Sequence, residues 1–485
     1  MPTTEYRNHI GGEWVAGSEG VYPVVNPATE AVVAEAPEAG VAEAHAAAAA
    51  ARAAAPAWKR TPPEERAALL QRLADGIRER EDELLPLIMA ETGATLAVGS
   101  AMQVPQAANR FEYYAHLATH DQSVALPPTV VGSSPLAAGG LIGGVVKRQP
   151  VGVVACISPY NFPLVNMAGK IGPALATGNT VVMKPAPQDP LAIIELARIV
   201  EAAGFPPGVV NCVVGSQPGV GQALAESPDV DMVSFTGSTG VGAAIYTAGG
   251  PTMKRLLLEL GGKGACIVTD DADVSKAIAA LASVWGFHSG QICTAPTRAL
   301  VHRSRYDEVV AGLQAVAPLL TIGPPESPDT VVGPVITGAH RDRIEAYIQA
   351  GLDEGGELSV DGRRPAGVDR GFYVGPTLIT GCHNEMRVVR EEIFGPVIVV
   401  VPFDTDDEAV ALANDSDFGL YSYVFSADPA RAYEIGLQLE SGNVGINTAQ
   451  RNHGAAFGGF KMSGIGRDGG VYGLHAYTEM QSVIW

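Results

Sequence analysis

Four apolar runs recur through the middle of the chain: VGVVACISP, NTVVMKPA, GVVNCVVG and DMVSFTGS. Each is rich in β-branched residues and bounded by Gly, Pro or Asn. They follow one another at intervals of roughly 25 residues, with helical stretches such as PLAIIELARIVEAAG between them. Strand, helix, strand at this interval predicts a doubly wound parallel sheet whose strand C-termini share one ligand-binding edge. From LELGGKGACIVTDDADV to about residue 435 a second α/β alternation runs, including RALVHRSRYDEVVAGLQAVA and GPVIVVVPFDTDDEAVALAND. It predicts a second domain of similar size.

The flanks read differently. Short alternating runs in the first 50 residues predict an N-terminal β-ribbon. AEAHAAAAAARAAAPAW reads as a surface helix. A long helix follows. Thr61 is expected to cap it, Pro62 to take its first position and Glu64 to complete a capping box. Leu69, Leu70, Leu73 and Ile77 fall at helical spacing, Gly93 ends the segment, and Pro86 marks an interruption. The Gly-, Pro- and Val-rich stretch from residue 125 to 150 is either a loop or an extended arm that pairs with another chain's sheet edge. The tail is glycine-rich, AAFGGFKMSGIGRDGG, and YTEMQSVIW closes as a short strand.

Composition narrows the class. With 485 residues, 47% of them hydrophobic and 17% charged, the chain can bury a large core. A net charge of −20 and no Lys/Arg run disfavour a nucleic-acid or anionic-membrane partner. The five cysteines are scattered and form no CxxC pair. No metal site is expected, and the pattern points to a reduced, cytoplasmic protein. The first residues carry no basic and apolar leader, and no run of about 18 apolar residues exists.

Several residues carry candidate chemistry. SFTGSTGVG follows a strand and opens a helix, so Gly237 and Ser238 lie where a helix N-terminus can receive a pyrophosphate. Lys184 ends a preceding strand, as either a ligand contact or a solvated cation. Cys293, in FHSGQICTAPTR, has small, polar, glycine-flanked neighbours, unlike Cys156 or Cys212 inside apolar runs. It reads as a nucleophile facing a cleft, against the alternative of an inert core thiol. His288 nearby reads as structural. Glu259 lies in an apolar strand beside two glycines. It is either a general base raised by burial or a partner of Lys254 or Lys263. Asn161 in SPYNFP is either a turn residue or an amide donor to an oxyanion.

Together PYNFP, NTVVMKPA, SFTGSTGVG, LELGGK, GQIC, EEIFGPV and FGGFKMSGIGR resemble, in order and spacing, the NAD(P)-dependent aldehyde dehydrogenase superfamily over essentially the whole chain. The resemblance implies a doubly wound cofactor domain (1–127 and 150–258), an α/β catalytic domain (259–462) and a small β bridging element (128–149 and 463–485). Members form dimers or tetramers through that bridge. The resemblance also implies that Cys293 attacks the aldehyde, Asn161 steadies the oxyanion and Glu259 activates the water that hydrolyses the thioester. Lys184 would meet the adenosine ribose, Ser238 the pyrophosphate and Glu392 the nicotinamide ribose, with Phe394 packed beside it. Tyr160, Phe162, Thr294 and Phe457 would line the substrate pocket. Tyr160 stands where the family carries Trp. Pro187 replaces the Glu of K-P-x-E that repels a 2′-phosphate, so NAD is expected and NADP tolerated. Arg451, six residues before Phe457, stands where many members have an apolar residue. It either favours substrates with a distal carboxylate or turns to solvent. A CoA-acylating relative usually lacks the LELGGK glutamate, and a non-catalytic protein on this fold need not keep Cys293, Glu259 and Asn161 together.

Overall fold

The structure, a computed structural model, describes residues 5–485. Its first sheet has eight strands in the order Glu13–Val15, Asn8–Ile10, Val210–Cys212, Thr180–Lys184, Val153–Ile157, Met232–Thr236, Arg255–Glu259 and Gly464–Ile465. The five strands from Val210–Cys212 to Arg255–Glu259 run parallel. From Val153–Ile157 the chain steps outward to Thr180 and Val210 on one side. It then returns to lay Met232 and Arg255 on the other side. That reversal opens a crevice beyond the strand C-termini. Every residue of Val153–Ile157 and Thr180–Lys184 is buried. Helices cover both faces, so these strands read as continuous apolar runs rather than alternating ones.

The helices differ from expectation in three places. Val41–Arg60 is not a surface helix throughout: Ala44, Ala47, Ala48 and Ala51 are fully buried in one core with Val153, Ala155 and Val182. Alanine lets helix and sheet approach closely while adding little apolar signal to the sequence. The next helix is Pro63–Glu79, and its N-cap Pro62 has no side-chain cap. Thr61 instead donates its hydroxyl to the Ala57 carbonyl at 3.3 Å, closing the preceding helix. The break falls at Arg80, and Glu81–Thr92 runs through Pro86 before Gly93 ends it in left-handed backbone (φ 72°).

The second sheet has seven strands, in the order Glu357–Val360, Thr377–Thr380, Val397–Phe403, Arg298–His302, Ala265–Val268, Tyr421–Phe425 and Asn443–Ile446. All its pairings but that of Glu357–Val360 are parallel. The chain passes from the first sheet to the second over five residues, between Glu259 and Ala265. It returns when Gly464–Ile465 pairs antiparallel with Leu258–Glu259. The region expected to be a loop or an arm forms strands. Val124–Val131 and Thr478–Ile484 flank Gly140–Pro150 in a three-stranded antiparallel sheet. Of residues 463–485, only Thr478–Ile484 lies in that sheet. The helix Gly470–Ala476 packs on Pro163–Ala176 of the first domain.

Candidate active site

Parallel pairing brings the candidate residues to one edge. Phe235 pairs with Ile157, Ile157 with Lys184 and Thr236 with Glu259. Asn161, Lys184, Ser238 and Glu259 therefore all sit at or just beyond the C-termini of adjacent strands, around the crevice. Cys293 reaches it from the second domain, on the loop between Val274–Gly286 and Arg298–His302.

That loop is built under strain. His288, Ser289 and Gly290 adopt left-handed backbone in succession, with φ of 52°, 54° and 74°. Each non-glycine residue there costs on the order of 1–3 kcal/mol and is retained by its surroundings. Gly290 has no alternative, because a Cβ would collide with the Gly395 carbonyl beside the Glu392 loop. The Ser289 hydroxyl donates to Gly333 O at 2.7 Å. Gln291, fully buried, accepts from Ile336 N at 3.0 Å and donates to His288 O at 3.2 Å. His288 is buried, and burial lowers its pKa to about 4, so it is a neutral structural residue at physiological pH.

Cys293 is half-buried, whereas Cys156, Cys212, Cys266 and Cys382 are buried. Its thiol is pushed up to about 12, first by desolvation, against the pull of the Arg451 charge and with the Glu392 and Glu259 carboxyls adding to the rise. The resting residue is a thiol. Asn161 adjoins its loop, its side-chain amide donating to Gln291 O at 2.8 Å. The Asn161 Oδ1 accepts from Phe162 N at 3.0 Å.

Glu259 is 4% exposed, and both of its carboxyl oxygens lack a hydrogen-bond partner. Neither lysine pairs with it. Lys254 donates to Val230 O at 2.6 Å, and the Lys263 ammonium is buried without a partner. Desolvation and the Asp468 charge hold the Glu259 carboxyl well above its usual range, although Lys170, Arg467 and Arg451 pull the other way. A carboxyl left bare in this way costs several kcal/mol in its charged form. A Cβ on Gly458 would stand 2.8 Å from its Oε1, so only glycine fits that flank.

The LELGGK turn joins the pieces. Gly262 N donates to Glu392 Oε1 at 2.9 Å. Ser463, fully buried, donates to Gly261 O at 2.7 Å and accepts Gly419 N at 2.9 Å. Phe394 is held at φ 60° and meets Tyr160 edge-on at 5.9 Å. Tyr160 thus lies against the Glu392–Phe394 loop and His340. Phe162 stacks on Phe287 at 5.8 Å. The Thr294 carbonyl accepts the Tyr423 hydroxyl at 2.7 Å. Arg451, exposed, lays its guanidinium 4.0 Å over the Phe457 ring.

On the first sheet, Lys184 is 8% exposed and donates to Pro185 O at 3.0 Å and Gly215 O at 3.3 Å. Burial lowers its pKa to about 8. Ser238 caps Thr239–Gly249, accepting Val241 N at 3.5 Å. A Cβ on Gly242 would run into Leu260 at 2.5 Å, which fixes this helix against the turn that carries Glu259.

Gln103, Lys170, Ser463 and Asp468 were not singled out from the sequence. Ser463 and Asp468 stand in or beside FGGFKMSGIGR, where they could have been found. Lys170 and Gln103 lie inside helical stretches, where no local pattern marks them.

The sequence model of the aldehyde dehydrogenase family matches residues 14–483. A 2-hydroxymuconic semialdehyde dehydrogenase from a Pseudomonas species is 41% identical over 487 residues, covering 99% of each chain. A 3-succinoylsemialdehyde-pyridine dehydrogenase, also from a Pseudomonas species, is 38% identical, covering 99% of this chain and 98% of its own. Among solved structures, a mutant of aldehyde dehydrogenase C from Pseudomonas syringae, complexed with NAD+ and octanal, superposes with a TM-score of 0.92 at 40% identity, covering 100% of this chain and 97% of its own. These likenesses run from one end of the molecule to the other, and the chain belongs to the aldehyde dehydrogenase family.

Proposed function

We propose that this protein oxidises an aldehyde to its carboxylic acid with NAD+, through a thioester on Cys293. One observation carries the reading: a half-buried thiol, an amide bound to its own loop and a bare buried carboxyl converge on one crevice. Cys293 releases its thiol proton to solvent and adds to the aldehyde carbon as the thiolate, the carbonyl π electrons moving onto oxygen. The second N–H of the Asn161 amide, not engaged by Gln291, steadies the developing oxyanion with the Cys293 backbone N–H. The bound dinucleotide supplies the acceptor for the hydride that this tetrahedral adduct expels. Glu259, once ionised, takes a proton from water. The resulting hydroxide attacks the thioester and releases acid and thiol. The retained Glu259 favours water over CoA as the acceptor of the acyl group.

The crevice fits a dinucleotide. Lys184 spends two of its three N–H bonds on carbonyls and keeps one for a ribose hydroxyl. The capped helix Thr239–Gly249 offers its N-terminus to a pyrophosphate. Glu392, held by Gly262 N, would accept from the second ribose. The relative solved with NAD+ supports NAD+ as the partner. Pro187 in place of an acid leaves NADP+ tolerated.

Arg451 supports a reading of the substrate class. Its guanidinium lies over the Phe457 ring, and its charge pulls the Cys293 and Glu259 pKa values down against burial, which supports a place beside the reaction chamber. An aldehyde with a distal carboxylate gains from it and a cationic one is repelled. The relative named for 2-hydroxymuconic semialdehyde fits that class. With NAD+ and NADP+ in parallel, kcat/KM is expected to be higher for a semialdehyde acid than for its uncharged isostere. Arg451→Ala should narrow that preference by about 10-fold or more, the scale of a charge-assisted hydrogen bond. Equal losses for both substrates would remove Arg451 from the argument, and no turnover of any aldehyde with either dinucleotide would remove the function.

A homo-oligomer completes the reading. The three-stranded sheet leaves Val130 85% exposed, with Leu141 also exposed and Val124–Val131 an open edge, and Leu136 in the adjoining turn and Trp485 after the last strand are exposed beside it. Light scattering is expected to give a dimer or tetramer that V130K/L141K converts toward monomer, and a monomeric wild type would contradict this. No helix among the described residues is long and apolar enough to cross a membrane. Five unpaired cysteines support a reducing compartment such as the cytoplasm, which cell fractionation checks.

A further inference from the structure

One buried polar side chain adjoins the site from an unexpected direction. Between Leu96–Val98 and Val104–Ala118 the chain makes a single π-turn, Gly99–Gln103. Such turns insert a residue into a helix, re-aim the side chains after it and concentrate at functional sites. Here the turn ends on Gln103, whose side chain is fully buried. Its Nε2 donates to the backbone carbonyl of Asn161 at 3.1 Å. Its Oε1 has no partner. A buried orphan acceptor is destabilising, so for stability alone leucine or methionine would suit this position better.

The bond completes a line of hydrogen bonds. Gln103 holds the Asn161 carbonyl, Asn161 holds Gln291 O, and Gln291 holds His288 O, two to five residues before Cys293. The Asn161 Oδ1 is taken by Phe162 N. The Asn161 carbonyl, its Oδ1 and one of its Nδ2–H groups are therefore engaged, and a single Nδ2–H is left over. We infer that Gln103 is a positioning residue: it fixes the Asn161 peptide so that the free amide hydrogen points where the aldehyde oxygen becomes negative. The inference rests on the reading of Asn161 as the oxyanion donor. Gln103 touches neither substrate nor thiol.

The test compares single-turnover NADH formation in wild type, Asn161→Ala, Gln103→Leu and Gln103→Glu. It also measures iodoacetamide alkylation of Cys293 and the melting temperature. Loss of a whole oxyanion donor typically costs 10²–10³-fold. Gln103→Leu is expected to slow the burst about 10-fold while alkylation stays at the wild-type rate and the melting temperature does not fall below that of wild type. Gln103→Glu supplies a readout that a purely structural role would not move. Its buried carboxyl donates to the Asn161 carbonyl when protonated and repels it when ionised. The burst relative to wild type is expected near unity at pH 6 and to fall as pH rises to 9. A Gln103→Leu burst equal to wild type overturns the inference. So does a loss in which burst, alkylation and melting temperature drop together, or a Gln103→Glu ratio flat with pH. If Asn161→Ala keeps its burst, the oxyanion reading itself fails; if Asn161→Ala loses it while Gln103→Leu keeps it, only the role of Gln103 fails.

Discussion

Cys293→Ala is expected to abolish NADH formation with every aldehyde, in the burst and in the steady state alike. The loss should be on the order of 10⁴-fold or greater, the scale seen when a nucleophile is removed from a concerted site. Folding should hold. The residue is half-buried, and removing one sulfur from it costs about 1 kcal/mol. NAD+ should still bind, because Lys184, the Thr239–Gly249 helix and Glu392 are untouched, and protein fluorescence can follow it. The other four cysteines cannot substitute. All four are buried, with Cys156, Cys212 and Cys266 inside strands, and burial raises each thiol. Cys293 is also raised, to about 12. Only the thiolate is alkylated, so labelling by iodoacetamide in the absence of aldehyde should climb nearly tenfold per pH unit from 7 to 10. A plateau near pH 7 would mean a preformed thiolate and would contradict the desolvated environment. Residual burst in Cys293→Ala would assign the chemistry to another group.

How much of this was readable in the chain depends on how local each signal is. Asn161, Lys184, Ser238 and Glu259 stand at the ends of buried parallel strands, and the apolar runs that mark those strands also mark their ends. Cys293 stood out because its neighbours are small and polar, unlike those of Cys156 and Cys212 inside apolar runs. Gln103 gave no signal, because its one hydrogen bond spans 58 residues and helical periodicity does not record what a buried side chain meets. Thr61 shows a different failure. The Ser/Thr-x-x-Glu pattern was present, but the preceding helix ends at Arg60, and its last-turn carbonyl took the hydroxyl first. Pro86 marked a break that the chain makes six residues earlier, since packing of Leu84 and Ile88 holds that helix together across the proline. The strands at 124–150 were obscured for the opposite reason. All of Val124–Val131 is exposed, so no inside-outside alternation was written into it.

Glu259→Gln should separate the two halves of the reaction. Acylation needs the thiol and the Asn161 amide, so about one NADH per active site is expected in the first turnover. Deacylation needs a base at Glu259, and its loss should slow the steady state by roughly 10²–10⁴-fold. The thioester then accumulates and can be trapped by acid quench or seen as added mass on the Cys293 peptide. A steady state at the wild-type rate would mean that another base activates the water. The pH profile tests the same carboxyl independently. Desolvation, then Asp468, hold Glu259 well above its ordinary value of 4.5, and the ionised form is the active one. Wild-type turnover should therefore rise with pH along a limb displaced above that of a free carboxylate, and Glu259→Gln should lose the limb. Stability runs the other way. A carboxyl raised in the folded state binds its proton more tightly there than in the unfolded chain. The resulting stability is complete below the unfolded pKa and is lost as pH rises through the folded one. Glutamine never ionises, so Glu259→Gln should melt higher than wild type at alkaline pH, and the difference should shrink toward zero as pH falls to about 4.5. Activity and stability thus respond to one buried proton with opposite sign, as expected of a group whose charged form the fold disfavours and the chemistry requires.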